Sequence, residues 1–194
     1  MKYCCDCAAL LKIRIPEGDE RPRHCCDRCG SIHYQNPKNV VGTLPVYGDQ
    51  ILLCKRAISP RSGKWTLPAG FMENGESSLT GAIRETKEEA GAAVNAGEDS
   101  LYTLFNLPAI NQVYLFFRVE LANLEFSPGI ESEEVALFSE SEIPWEEIAF
   151  PVVKTTLKQY FQDSRSNKFP VRMFDVHYDQ NRKISTKMIS NSAR

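Results

Sequence analysis

The 194-residue chain contains no run of roughly 18 apolar residues, the length needed to cross a bilayer as a helix. Its opening residues, Met-Lys-Tyr-Cys-Cys-Asp-Cys, lack the apolar stretch of a secretory leader. A soluble, cytoplasmic protein without a membrane partner is therefore expected. Repeats and low-complexity tracts are missing too, which excludes solenoid and collagen-like architectures. Nor is there a shortage of apolar residues, which make up 42% of the chain and argue against disorder.

The net charge of −2 is small only because opposite excesses cancel. Residues 38–150 carry 8 Lys and Arg against 17 Asp and Glu, a balance that suits a cation site. Residues 151–194 carry 9 against 3 and suit a phosphorylated substrate, a partner subunit or nucleic acid alike. Residues 1–37 hold 6 against 5 with no basic stripe, so a nucleic-acid partner is not expected there.

Seven cysteines are an odd number for a disulfide framework, and no leader points to an oxidising compartment. Four of them form Cys4-x-x-Cys7 and Cys26-x-x-Cys29, with 18 residues between the pairs. That spacing suits a structural zinc ribbon, and Gly30 permits the tight turn after Cys29. Cys5 and Cys25 flank these ligands as alternatives, with His24 and His33 behind them. Gln35-Asn36-Pro37-Lys38 reads as a linker, dividing a ribbon at 1–37 from a larger domain at 38–194.

In that domain, Val40–Val46 and Ile51–Arg56 read as strands joined at Gly48-Asp49. Leu101–Phe105, Val113–Leu121, Glu134–Phe138 and Phe169–His177 read as further strands. Val152–Phe161 reads as a helix, and residues 180–194 as a loose polar tail. Between the first strands and the rest lies a glycine-rich loop, Gly70–Glu76, and then a helix. Leu79, Ala82, Ile83, Thr86 and Ala90 recur at the 3.6-residue period and form its buried face. Glu85, Glu88 and Glu89 lie within one turn on another face, and Lys87 projects away from them. Three carboxylates that close repel one another, a conflict that a hard divalent cation resolves. A solvated acidic face is the competing reading.

Gly70, Glu76, Arg84, Glu85, Glu88, Glu89 and Gly91 occupy every fixed position of the pattern G-x5-E-x7-R-E-U-x-E-E-x-G-U, where U is bulky and apolar. Thr86 and Ala92 stand at the U positions. The stretch resembles the Nudix hydrolases, and the resemblance covers most of residues 38–163. It implies an α/β fold, the Nudix α/β/α sandwich with a mixed sheet. It also implies hydrolysis of a nucleoside diphosphate linked to another moiety, with Mg2+ or Mn2+ as cofactor. Carried over by position, Glu85, Glu88, Glu89 and the carbonyl of Ala69 hold the metal, while Glu76 and Arg84 form a structural pair. A base or further ligand comes from a later acidic segment, for which Glu134 is the expected residue. Arg56 is expected on phosphate, and Phe105 or Tyr114 on adenine.

Pro108 lies sixteen residues past Ala92, an offset similar to that of ADP-ribose pyrophosphatases. The ribbon, Tyr34–Pro37, Trp65–Gly70 and Pro128–Ser132 together are similar to plant FAD and ADP-ribose pyrophosphatases. That likeness puts FAD slightly ahead of ADP-ribose and implies a homodimer. A ligand-binding regulator or an RNA-directed enzyme of the same family is the alternative.

Overall fold

A computed structural model describes residues 1–97, 99–179 and 184–192. The chain divides into two compact units, Met1–Pro37 and Lys38–Arg194. The first holds a three-stranded antiparallel sheet of β1 (Leu11–Arg14), β2 (Arg23–Cys26) and β3 (Ile32–His33). With so few residues it has little core beyond Cys4, Cys25 and Cys26.

The second unit is built on a ten-stranded mixed sheet. β4 (Lys38–Tyr47) and β5 (Gln50–Arg56) form a hairpin, with Tyr47 opposite Gln50 across the Gly48-Asp49 turn. Next come the short β6 (Trp65–Thr66) and β7 (Ala69–Phe71), helix α1 (Ser78–Ala90) and the short β8 (Val94–Asn95). β9 (Leu101–Leu107), β10 (Gln112–Leu121), β11 (Ser132–Phe138), helix α2 (Pro151–Ser164), β12 (Val171–Tyr178) and β13 (Ile184–Ser192) follow. The main path runs β11-β5-β4-β10-β9-β12-β13, with β10 parallel to β4 and β12 parallel to β9.

Alternation along the central strands explains the layers. Leu44, Val46 and Phe116 face a core closed by Val152, Val153, Leu157 and Phe161 of α2. Val41, Phe117 and Val119 face Ala82 of α1. The expected sandwich of a mixed sheet and two helices is thus observed. Cys54 of β5 is 1% exposed, and burial pushes its thiol pKa up.

One expectation is corrected. Part of the expected loose tail is a regular strand, because β13 pairs with β12 from Val171↔Ser192 to Tyr178↔Ile184. Its remainder, 180–183 and 193–194, lies outside the described residues. The basic surplus of the C-terminal part is partly neutralised within the fold: Lys154 pairs with Glu146, Arg165 with Glu140, and the buried Arg172 with Asp163.

Candidate active site

The local sequence sets the frame of α1. Ser77 caps its start by accepting the Thr80 N–H at 3.2 Å, and Gly91 ends it in the left-handed region at φ 61°. Thr86 is fully buried yet satisfied, donating to the Ala82 carbonyl at 2.8 Å and meeting the Thr43 hydroxyl at 2.6 Å. A hydroxyl therefore fits where the family pattern has a bulky apolar residue.

α1, β7 and the following loop floor a cleft of about 1070 Å3. Glu85, Glu88 and Glu89 all line it. A Cβ on Gly70 would meet the Glu85 carboxylate, so a larger residue there would push that side chain aside. Glu89 is only 6% exposed and accepts the Ala69 N–H at 3.1 Å. Burial pushes its pKa up to about 7, with the neighbouring Glu85 and Glu131 adding to the rise. The pKa of Glu85 is raised as well, chiefly by burial.

Arg84 is the cation that helix periodicity alone passes over. Its guanidinium takes Glu76 through Nε at 3.0 Å and Nη2 at 2.9 Å, and reaches Glu85 at 2.8 Å and Glu88 at 2.9 Å through Nη1. It holds Glu76 down to about 2. The repulsion among the carboxylates is thus partly relieved by a neighbour four residues before Glu88. In this arrangement the three glutamates do not converge: among the described residues, both sets of three or more ligand atoms within 4.8 Å of one another lie in the N-terminal unit. The donor set still fits Mg2+ or Mn2+, since it offers hard oxygens, and burial of Glu85 and Glu89 leaves their ionised forms short of water that a cation would replace.

Two expected residues are misplaced by the sequence. Phe105 is fully buried and stacks on Phe174 at 4.9 Å and 14°, so it belongs to the core and not to an adenine site. Glu134 lies within β11, pairs with Lys55 at 3.6 Å and does not line the cleft. The acid that does line it is Glu131. It is delivered by a loop docked on the end of α1, where Ser127 N donates to Ala90 O at 2.9 Å and Gly129 N to Glu89 O at 3.0 Å. A Cβ on Gly129 would strike the Glu88 carbonyl, so glycine is required for this approach. The Pro128-Gly129 pair just before the acidic run was the available signal.

Arg56 and Tyr114, expected on phosphate and adenine, both line the cleft. Arg56 donates to the Pro60 carbonyl at 2.9 Å and lies 5.3 Å from the ring centre of Phe150, a cleft residue the sequence reading missed. The basic and aromatic groups thus lie beside the acidic floor.

In the N-terminal unit, Cys4, Cys7, Cys26 and Cys29 gather, with Cys4 3.6 Å from Cys29 and Cys7 3.4 Å from Cys26. A tetrahedral ion with sulfur at about 2.3 Å has sulfur–sulfur edges of about 3.8 Å, so the four thiols fit zinc. Three of the ribbon's six cations are engaged in ion pairs: Lys12 and Arg14 with Asp27, Arg23 with Asp19.

The NUDIX domain model matches residues 36–161, and the Nudix N-terminal zinc-ribbon model matches residues 2–35. A Nudix hydrolase structure from Nitrosomonas europaea is 51% identical, covering 90% of this chain and 99% of that one, with a TM-score of 0.85. The ADP-ribose pyrophosphatase of Methanocaldococcus jannaschii is 28% identical over 57% of this chain and 67% of its own length. The NAD-capped RNA hydrolase NudC of Stutzerimonas stutzeri is 29% identical over 70% of this chain. The chain spans about half the length of most of the curated relatives it matches, 46% in the case of that NudC. With both models matched in the order in which its two units occur, the chain belongs to the Nudix family.

Proposed function

We propose that this chain is a metal-dependent pyrophosphatase acting on a nucleoside diphosphate linked to another moiety, FAD or ADP-ribose, with AMP and FMN or ribose 5-phosphate as products. The observation that carries this reading is the buried Glu89 beside Glu85 and Glu88 on the floor of a cleft large enough for a dinucleotide. The named ADP-ribose pyrophosphatase relative supports the second substrate.

Glu85, Glu88, Glu89 and the Ala69 carbonyl would hold Mg2+ or Mn2+. When bound, such ions neutralise a pyrophosphate and lower the pKa of a water. Arg56 positions the phosphates, and Tyr114 with Phe150 offers faces for a base. Glu131 replaces Glu134 as our proposed proton acceptor, since it alone of the two faces the cleft. A water oxygen bonds to one phosphorus, the bridging P–O bond breaks, and the leaving phosphate takes up a proton. Glu76 and Arg84 hold the loop against α1.

Residues 1–37 serve as a ribbon stabilised by one zinc, and 38–194 as the hydrolase domain. We place the protein in the cytoplasm as a homodimer, which sedimentation tests; among the described residues no helix is long and apolar enough to cross a membrane. The RNA-directed alternative takes its support from the NudC relative, but the ribbon's near balance of six basic and five acidic residues weighs against it. A ligand-binding regulator would have no need of the complete acidic set.

Hydrolysis of FAD, ADP-ribose, NADH, diadenosine polyphosphates and capped RNA, each with Mg2+ and Mn2+, tests the reading. Turnover of FAD or ADP-ribose to AMP is expected. No turnover of any of them by folded protein would overturn it.

A further inference from the structure

The ribbon contains a second group of metal-binding side chains that the four-thiol set does not absorb. Cys4, Asp6 and His33 also place one ligand atom each within 4.8 Å of one another. His33 Nε2 is 3.2 Å from Cys4 Sγ, and Asp6 Oδ2 is 4.0 Å from the same sulfur. An ion bound to sulfur at about 2.3 Å and to nitrogen or oxygen at about 2.0 Å spans tetrahedral edges of about 3.5 Å, which these two distances bracket. Neither Asp6 nor His33 joins the four-cysteine group, so they approach Cys4 apart from the other three thiols.

The surroundings supply the rest. His33 is held in β3 by pairing with His24 of β2. Its other ring nitrogen, Nδ1, faces the exposed thiol of Cys5 at 3.5 Å, and Cys5 lies 3.7 Å from Asp6 Oδ1. Asp6 is exposed, which gives an ion a path in from solvent. A zinc held by four thiolates carries two negative charges, and Asp6 adds a third beside it. Lys12 and Arg14 are drawn to Asp27 and Arg23 to Asp19.

We propose that Cys4, Asp6 and His33 form a second site for a borderline divalent ion such as Zn2+, next to the four-thiol site and sharing the Cys4 thiolate as a bridge. One sulfur, one imidazole and one carboxylate favour Zn2+ over Mg2+, and three protein donors leave a coordination position for water or Cys5. A second dication brings the cluster from three negative charges to one. The proposal rests on zinc at the four cysteines.

The test uses the full chain, reduced, stripped of metal and refilled with cadmium-113 in the presence of excess Mg2+. Alongside the wild type stand Asp6→Asn and His33→Gln, with ribbon folding checked by the tetrathiolate resonance itself. The wild type is expected to show that resonance and a second one from an ion with one sulfur donor, or two where Cys5 takes the open position, and to bind about one more equivalent of zinc than either variant. Each variant should lose the second resonance and keep the first. Identical spectra and zinc uptake in all three proteins would overturn the proposal, leaving His33 as a hydrogen-bond partner of Cys4. Absence of the tetrathiolate resonance from all three would overturn the ribbon reading and, with it, the shared site.

Discussion

Glu89 is the residue whose environment makes the sharpest statement. Its folded pKa of about 7 stands above the ordinary value of 4.5, so the metal-free fold is penalised for ionising it. The unfolded chain loses that proton first. Stability therefore falls as pH rises from 4.5 to 7, and the full penalty, up to about 3 kcal/mol, is present above 7. Glu89→Gln removes the charge and keeps an acceptor for the Ala69 N–H. Without metal, the variant should melt higher than wild type at pH 8 and nearly the same at pH 5, as thermal scans will read. With Mg2+, its turnover should drop by roughly 10²–10⁴-fold. Glu131→Gln and Glu134→Gln separate two neighbours on one segment: the first should slow kcat by roughly 10²-fold or more, the second should leave it within about two-fold. A loss in Glu134→Gln with Glu131→Gln unaffected would return the role to the strand residue. The sequence showed which residues form the acidic set but not where each points. Glu134 sits on a strand whose register turns it to Lys55, and Phe105 lies at a strand position facing α2, neither of which is encoded locally.

At the scale of elements, α1 was legible from its apolar period and the box pattern, and the Ser77 cap and Gly91 end found in the structure agree with them. β13 was not, since Ser185, Thr186 and Lys187 give it no apolar alternation and, among the described strands, it pairs with β12 alone. The two- and three-residue strands β6, β7 and β8 are too short to carry a pattern. The loop ending at Glu131 is defined by its docking on α1, a contact between segments some forty residues apart in sequence. Gly129→Ala should break that docking, because the added carbon meets the Glu88 carbonyl and pushes Gly129 N away from Glu89 O. A loss of about 1–3 kcal/mol is expected, with kcat reduced more than KM changes, because the loop carries Glu131. Unfolding curves together with steady-state kinetics check this, and unaltered kinetics would detach the loop from the chemistry.

For the whole molecule, the mixed sheet was anticipated while its order was not. β4 lies parallel to β10 across some seventy residues, and nothing in either strand's composition names its partner. The division into two units has a thermodynamic counterpart. Chelating zinc should unfold residues 1–37 and leave α1 and the sheet in place, because the ribbon has little core of its own while the larger unit has three apolar clusters. Circular dichroism and turnover after chelation check it. The cysteine distribution turns this into a clock with two hands. Six of the seven thiols lie within residues 1–37, and the seventh, Cys54, is sealed inside β5. An alkylating reagent should therefore mark the exposed Cys5 at once, the other five ribbon thiols as the ribbon opens, and Cys54 only at the rate at which the sheet itself comes apart. Mass spectrometry of a single time course would then give two opening rates from one unlabelled wild-type sample, with no engineered probe.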